Sequence, residues 1–509
     1  MTPTVDKTFS SLEFIRVPHL IVFLLIPFVD STVDGARADP SGRRGDATFV
    51  ASRHQPVTHA STENVSDTPE LGLGLVTDGS DFTSWPTGEI DDGDAARWMS
   101  VDAAVVYPRT LRQLTLPGTH DSGAYQLTTQ LMPDPRFPSP WAAAALALAE
   151  RLHVPVDRII TPWALTQTLD VAAQLRAGYR YVDLRAGWNG SHWCAHHAEV
   201  GTPVVTILRD VARFMAEQPG EVVVVQVSHL DGFPTNEEVW TLAEMIGEEL
   251  RGLLVPLPPS SVAREARGSG GVGGGEEGAG GGEGESNCRD LRLDRTVGDM
   301  VESGERVLVV FGDGDFASAA AVSSSTSSLY PFSHLWPPCT LHNSYADSDD
   351  PLYMVRYNRQ QVVAFACRPV DVRAGSPVPL ATVGQQRRGD SSASSDNGDG
   401  IPHTLFKISW TLTTQARTVL ESVLPTHPKS LRELNELGEP LLRPFTEEMV
   451  AAGCRTGNIL TVDFAATSDA VRAVRAMNAL PVGVNCTLSL NARRISAEMD
   501  QKWHAVHQV

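Results

Sequence analysis

The chain has 509 residues, a formal net charge of −20, 42% hydrophobic residues and 20% charged residues. This composition is that of a globular protein with one large domain or two ordinary ones. The negative charge argues against nucleic acid, or any other strongly anionic surface, as a partner recruited by electrostatic attraction.

The first 38 residues have the layout of a secretory signal. Lys7 and Arg16 precede an apolar run over residues 20–29, and a small-x-small cleavage sequence ends at Ala38. The run is too short to span a bilayer comfortably, and a buried strand or an uncleaved anchor is the alternative. We therefore expect a signal peptide over residues 1–38 and a secreted or lumenal glycoprotein.

Sequons and cysteines fit the same route. The six cysteines are widely spaced without a CxxC pair, which argues against a structural zinc site or a redox dithiol. In a secreted chain some of them are expected to form disulfides, but the sequence does not define the pairs. The sequons begin at Asn64, Asn189 and Asn485, and the cysteines are Cys194, Cys288, Cys339, Cys367, Cys454 and Cys486.

Low-complexity stretches divide the rest of the chain. Residues 39–100 are polar and lack a hydrophobic period, which predicts an irregular lead-in. Residues 266–287 and 375–400 predict flexible exposed loops. Regular segments on both sides of these loops continue one pattern, so one domain is predicted over 101–495, with a short tail over 496–509.

Apolar runs in that domain predict buried strands, and helical periods separate several of them. This order is typical of a parallel sheet covered by helices. The number of units favours an α/β fold of the closed, TIM-type barrel class over an open doubly wound sheet, and no GxGxxG sequence follows a predicted strand to support a dinucleotide fold. The predicted strands are 111–116, 179–184, 222–227, 307–311, 362–366, 405–410 and 459–464, and the best-defined helices are 203–218 and 236–253.

Polar side chains with catalytic potential follow several of these strands, where barrel enzymes carry their sites. His120 and Asp121 follow the first strand, and Asp121 either bonds the turn or orients a histidine. Asp183 and Arg185 share one face of the second strand, where a structural ion pair is the alternative to a catalytic role. His229 follows the strand at 222–227.

A histidine cluster, GSHWCAHHAEVG at 190–201, precedes the helix at 203–218. It is compatible with a metal site, with catalytic histidines or with a polar loop. The spacing of His192, His196, His197 and Glu199 is irregular for metal ligands, and the adjacent His196 and His197 point apart in an extended chain. A metal site is therefore the less favoured interpretation.

Four segments together resemble the X domain of phosphatidylinositol-specific phospholipases C (PI-PLC), with the closer likeness to the bacterial and X-domain-only branch. The likeness spans about residues 104–491. The segments are LPGTHDSG at 116–123, TQTLDVAAQLRAGYRYVDLR at 166–185, AHHAEVGTPVVTILRDVARFMAEQPGEVVVV at 195–225 and NILTVDFAA at 458–466.

The resemblance implies a TIM-type barrel that cleaves inositol phospholipids at a membrane surface through a cyclic inositol phosphate. It implies no cofactor and no partner chain. His120 matches the general base, His197 the general acid and Arg185 the arginine that contacts the phosphate. The matching acidic positions are Asp183, near the base, and Asp463, which pairs with a catalytic histidine. Asp121, His229 and Trp410 are expected substrate contacts, although Trp410 at a strand end is also typical of packing.

The resemblance also bears on metal dependence and has departures. Calcium-dependent relatives have an acidic pair where this chain has Asp183 and Arg185, so metal-independent cleavage is expected. Ala198 replaces the glycine that usually follows the second histidine. Ser228 and His229 stand where the bacterial enzymes have a lysine, and Phe311 and Gly312 where they have a basic side chain.

Two alternative functions stay open. One is a barrel that binds a lipid head group or glycan without cleaving it, which these departures make plausible. The other is a glycerophosphodiester phosphodiesterase, an enzyme built on a similar barrel, but the Glu-x-Asp arrangement that it requires follows none of the predicted strands.

Overall fold

The computed structural model describes residues 92–133, 157–258, 291, 293–312, 332–366, 404–422, 424–482, 486 and 488. The predicted signal, the loops at 266–287 and 375–400, the tail at 496–509 and most of the lead-in lie outside the described residues. Within them, no helix combines the length and the hydropathy needed to cross a bilayer.

A single sheet forms the centre of the fold, and eight of its strands run parallel in the order β7-β6-β5-β2-β1-β10-β9-β8. β3 and β4 form an antiparallel extension of β2. The strands are β1 Leu116–Thr119, β2 Tyr181–Trp188, β3 Trp193–His197, β4 Glu199–Pro203, β5 Val223–Asp231, β6 Val307–Phe311, β7 Leu335–Trp336, β8 Leu341–Ser344, β9 Leu405–Trp410 and β10 Ile459–Val462.

The sheet curls into a barrel. Its two edge strands, β7 and β8, are joined by only four residues, 337–340. One buried cluster contains a side chain from each of the eight parallel strands, which requires the strands to surround a common interior. This arrangement confirms the predicted α/β, TIM-type barrel. The eight side chains are Leu116, Tyr181, Val224, Leu308, Trp336, Leu341, Leu405 and Ile459.

Helices cover the outer face of the sheet. Outward valines of β2, β5 and β6 form a second core cluster with the apolar faces of α5, α6 and α7. The helices are α1 Asp92–Ala95, α2 Trp98–Val101, α3 Ala103–Val106, α4 Asp157–Ala164, α5 Val171–Arg176, α6 Val204–Glu217, α7 Asn236–Glu249, α8 Val297–Ser303, α9 Pro351–Ala366, α10 Ala416–Glu421, α11 Leu431–Ala451 and α12 Ala470–Asn478.

Two local predictions were wrong. Residues 362–366 are the last turn of α9, because a short apolar run does not by itself distinguish a strand from a buried helix. Leu111–Gln113 form a 3₁₀ turn, and β1 begins only at Leu116. At the end of the mostly irregular lead-in, Trp98 is buried in the barrel core and its indole donates to Gly178 O over 2.9 Å.

One disulfide joins Cys454 to Cys486. Cys339 is also disulfide-bonded. Cys194 is a buried free thiol.

Candidate active site

Parallel pairing places the predicted site residues at one edge of the barrel. β1 lies between β10 and β2, with Thr119 opposite Val462 on one side and Val182 on the other. The next residues along β1 and β10, His120 and Asp463, therefore emerge side by side. Alternation turns Asp183 and Arg185 of β2 into the same interior.

His120 is held by two partners. Its Nδ1 donates to Asp463 Oδ1 over 2.9 Å, and its Nε2 lies 3.0 Å from Nη2 of Arg185. A guanidinium has no acceptor, so Nε2 of the neutral ring accepts from Arg185. The ring is thus fixed with its proton on Nδ1 and its lone pair on the side of the arginine.

Asp121 connects the two predicted catalytic histidines. Its buried carboxylate contacts Nε of Arg185 and lies 3.8 Å from Nε2 of His120 and 3.5 Å from Nε2 of His197. The carboxylate of Asp121 therefore lies between the two histidine rings and the guanidinium of Arg185.

His197 and His196 point apart along β3, as predicted. His197 Nδ1 donates to Ala164 O over 2.7 Å, which turns Nε2 towards Asp121. His196 Nε2 donates to His229 O over 3.1 Å and lies 3.5 Å from Asp231 Oδ2. His197 is therefore the ring that faces His120 and Arg185, whereas His196 braces the end of β5.

The other members of the histidine cluster do not converge on these rings. His192 is exposed on the loop between β2 and β3. Glu199 is fully buried and accepts from the Thr161 hydroxyl over 2.9 and 2.8 Å. The four residues therefore point in different directions, as their irregular spacing indicated.

Sequence reasoning missed Lys407, a buried lysine on β9. Its Nζ lies 3.3 Å from Asp183 Oδ2 and 3.4 Å from Gln226 Oε1, and 5.3 Å from the centre of the Tyr181 ring. Asp183 therefore pairs with Lys407, and the proposed Asp183–Arg185 ion pair is replaced by Lys407–Asp183 and Arg185–Asp121. The available signal was a lysine inside the largely apolar strand LFKISW.

His120, Asp121 and Asp183 also have donor atoms within 4.8 Å of one another, a spacing that suits a metal ion. Both carboxylates, however, are already paired with side-chain cations, Arg185 and Lys407. Two fixed positive charges next to a three-donor group disfavour a divalent cation there. The geometry thus fits a site whose positive charge comes from side chains.

The two facing rings have opposite pKa shifts. Burial lowers the pKa of His120, but the carboxylates of Asp121 and Asp463 prevail and raise it above its ordinary value of 6.5. At His197, burial prevails over Asp121 and leaves the pKa below 6.5. Burial also lowers the pKa of His196 to about 4.

The carboxylates of the site differ in the same way. Burial alone would raise the pKa of Asp183, but Lys407, and then His120 and Arg185, hold it well below its usual range. Burial raises the pKa of Asp463 in spite of its bond to His120. Asp183 is therefore the carboxylate most firmly kept ionised.

The predicted substrate contacts His229 and Trp410 have different positions. His229 follows Ser228, its Nδ1 lies 3.0 Å from Ser228 Oγ, and its charge acts on Asp183. Trp410 faces the outside of the barrel, where its indole donates to Gly438 O over 3.1 Å and its ring packs against the Phe445 ring at an interplanar angle of 40°. The prediction of a substrate contact for Trp410 was wrong. Side chains alternate along β9, so that Lys407 faces the interior of the barrel and Trp410 faces the outside.

Left-handed residues follow the main side chains of the site. Asp121, Ala198 and Phe464, directly after His120, His197 and Asp463, have φ of 41°, 61° and 50°. Such conformations are strained in non-glycine residues and cluster at functional sites. They turn the chain sharply out of each strand just after the side chain that it presents.

Ala198→Gly is expected to stabilise the protein by about 1 kcal/mol, because glycine adopts φ of 61° without the clash of a β-carbon. Urea unfolding measures the change, with Ala195→Gly on β3 as the control that should destabilise. A loss of stability in Ala198→Gly would contradict the left-handed conformation.

Comparisons with known proteins cover the barrel in part. A PI-PLC X-box domain-containing protein of Dictyostelium discoideum is 30% identical over 154 residues, which are 30% of this chain and 19% of that protein. The mouse PI-PLC X domain-containing protein 1 is 32% identical over 149 residues, 28% of this chain and 41% of that protein. The chain is therefore similar to PI-PLC X domain-containing proteins over part of its length.

The chain spans less than half the length of these two relatives. A variant-surface-glycoprotein phospholipase C of Trypanosoma cruzi is 26% identical over 145 residues, 26% of this chain and 36% of that protein. The solved PI-PLC of Listeria monocytogenes has a TM-score of 0.40 at 14% identity, covering 76% of this chain and 98% of that chain. No family model matches the chain.

Proposed function

We propose that this barrel cleaves the glycerol-phosphate bond of phosphatidylinositol, or of its glycosylated form, by acid and base catalysis without a metal ion. One observation carries the proposal. Nε2 of His120 and Nε2 of His197 both face the buried pair formed by Arg185 and Asp121. Two imidazoles on either side of an arginine meet the needs of phosphodiester cleavage.

The first step uses His120 as the base. The phosphodiester draws Arg185 into bonds with its oxygens, which frees Nε2 of His120. Nε2 then takes the proton of the inositol hydroxyl next to the phosphate, and that oxygen attacks phosphorus. Asp463, bonded to Nδ1, stabilises the imidazolium that forms.

The second half of the step uses His197 as the acid. Its Nδ1 is committed to Ala164 O, so the transferable proton is on Nε2. That proton passes to the glycerol oxygen as its bond to phosphorus breaks, which releases diacylglycerol and a cyclic inositol phosphate. Asp121, 3.5 Å from Nε2, favours the protonated ring.

A secreted protein acting at a membrane surface agrees with several features. The Cys454–Cys486 disulfide is typical of an oxidising compartment. Phe233, 65% exposed, follows β5 at the edge of the barrel that carries the site, where an aromatic side chain suits a lipid interface. The name of the T. cruzi relative favours a glycosylated inositol lipid as one candidate substrate.

Diacylglycerol release from vesicles tests the proposed substrate class. Vesicles of phosphatidylcholine with phosphatidylinositol should yield diacylglycerol, and vesicles of phosphatidylcholine alone should not. Binding to the first vesicles without any release would favour the non-catalytic barrel and contradict the proposal.

His197→Ala tests the two roles through pH. The wild type should give a bell-shaped kcat/KM profile with limbs on either side of 6.5, because the pKa of His197 lies below and that of His120 above this value. The active form has His120 neutral and His197 protonated. It is then the less populated of the two forms in which only one of the rings carries a proton. In His197→Ala only the base titrates, so activity should rise with pH through the pKa of His120 and stay high.

The best probe for this variant is a nitrophenyl inositol phosphate, whose leaving group departs without an acid. His197→Ala should retain far more activity on this probe than on phosphatidylinositol. Activity that falls as pH rises would show that the roles of the two rings are exchanged.

A further inference from the structure

A stretch at the end of α4, residues 164–167, contacts the backbone at the ends of β1 and β10 and the ring of His197 on β3. We call it the clamp segment. Its last two residues begin one of the motifs that resemble the X domain, yet no reacting group has been assigned to it. Thr166 and Gln167 are both completely buried.

Gln167 joins the ends of β1 and β10. Its Nε2 donates to His120 O over 2.9 Å and to Val462 O over 3.1 Å, and its Oε1 accepts from Ala465 N over 3.0 Å. Val462 O also accepts from His120 N over 3.0 Å. One side-chain amide thus fixes His120 relative to the residues that flank Asp463.

Thr166 holds the turns that follow. Its hydroxyl donates to Asp121 O over 2.9 Å, and its carbonyl accepts from Phe464 N over 2.8 Å. Asp121 and Phe464 are two of the left-handed residues of the site, and strained backbone persists only where its surroundings fix it.

The clamp segment reaches the second histidine as well. The carbonyl of Ala164 accepts from His197 Nδ1 over 2.7 Å and so sets which nitrogen of that ring faces Asp121. Both proposed catalytic rings are therefore positioned by three residues of the clamp segment, Ala164, Thr166 and Gln167, which contribute no group to the reaction itself.

We infer that the clamp segment is a positioning device that sets the geometry of the His120–Asp463 hydrogen bond, with Gln167 as its main positioning residue. The inference rests on the proposed function for its effect on rate. A displacement of about 1 Å at a reacting group can cost about 10²-fold in rate. The 2.9 Å hydrogen bond from His120 Nδ1 to Asp463 Oδ1 keeps His120 oriented. The amide of Gln167 bonds the backbone next to both of these residues.

Gln167→Met tests the inference, because methionine keeps the length and burial of the side chain and removes all three hydrogen bonds. Asn478→Leu is the matched control at the opposite end of β1. There Asn478, 3% exposed, donates to Thr115 O over 2.8 Å and accepts from Thr115 N over 2.9 Å. Both variants remove a buried amide that bonds backbone, but only one lies at the site.

We expect Gln167→Met to lower kcat by about tenfold or more with KM little changed. In carbon-detected histidine NMR titrations, the pKa of His120 should move from above 6.5 towards 6.5, because a looser bond to Asp463 removes a raising effect. Asn478→Leu should lose comparable thermal stability with both readouts unchanged.

An unchanged kcat and an unchanged His120 titration in Gln167→Met would overturn the inference. The titration does not depend on turnover, so a shifted titration in a protein that lacks activity would contradict the proposed function alone. If Gln167→Met does not fold, Thr166→Val and Thr166→Ser replace it: the titration should shift in the valine variant and be restored in the serine variant. Equal titrations in the two would also overturn the inference.

Discussion

His120→Ala is expected to lower kcat for phosphatidylinositol cleavage by about 10²- to 10⁴-fold, the range that a positioned general base contributes. The side chain is partly exposed at the site and is not part of the apolar core, so the barrel should still fold. Asp463 loses its partner in the variant, which predicts a modest loss of stability in addition.

His192→Ala is the control for that variant. His192 is exposed on the loop between β2 and β3, and its ring contacts Asn189 and Ser191 rather than the site. The His192→Ala variant should keep wild-type activity. Initial rates on mixed vesicles, with circular dichroism as a check of folding, give the comparison, and a His120→Ala protein with more than a tenth of the wild-type rate would refute the role of His120.

Lys407→Met should lower the free energy of unfolding by about 3–5 kcal/mol, the usual cost of removing one partner of a buried ion pair. Lys407 is 2% exposed and Asp183 is 3% exposed. Water would therefore hydrate the charge of the remaining carboxylate only poorly. Methionine fills a similar volume, which makes the lost charge rather than a cavity the main effect.

The sign of the pH dependence follows from Asp183. Lys407 is the main cause that keeps the pKa of Asp183 low, and burial raises that pKa once the lysine is gone. The penalty of Lys407→Met should therefore shrink as pH falls and Asp183 takes up a proton. Urea unfolding at several pH values measures it, and Lys407→Met/Asp183→Asn should recover much of the loss; equal stability of the single variant and the wild type would contradict the ion pair.

The sequence predicted the barrel and most of its strands because the apolar runs are long and separated by clear helical periods. It also placed His120, Asp183, Arg185 and Asp463 near the ends of predicted strands, and parallel strands bring their carboxyl ends to one edge. His197 reaches the same group of side chains from β3, an antiparallel strand that the sequence did not predict. These predictions depend on local pattern and on one topological rule, and both hold in the structure.

Other features depend on contacts between distant parts of the chain. Lys407 reaches Asp183 across the barrel interior, past the two strands that separate β9 from β2 in the sheet. Because the sequence does not define the register of β9 in the sheet, it does not predict that Lys407 pairs with Asp183. The bonds of Gln167 to β1 and β10 are equally remote, since they join residues 47 and 295 positions apart.

Trp410 shows how the missed lysine affected a prediction. Within β9, Lys407 and Ser409 face the interior, so alternation places Trp410 on the outer face against α11. The charge of Lys407 among apolar neighbours could have assigned this side chain to the interior. The same alternation would then have placed Trp410 outside and removed it from the expected substrate contacts.

Phosphorus NMR of the products from phosphatidylinositol, in the presence of an excess of a metal chelator, tests the central claim most directly. We predict a cyclic inositol phosphate as the first product, formed at the same rate with and without the chelator. No cleavage by the folded protein, or cleavage that stops with the chelator and returns with calcium, would contradict a metal-free site built on His120, His197 and Arg185.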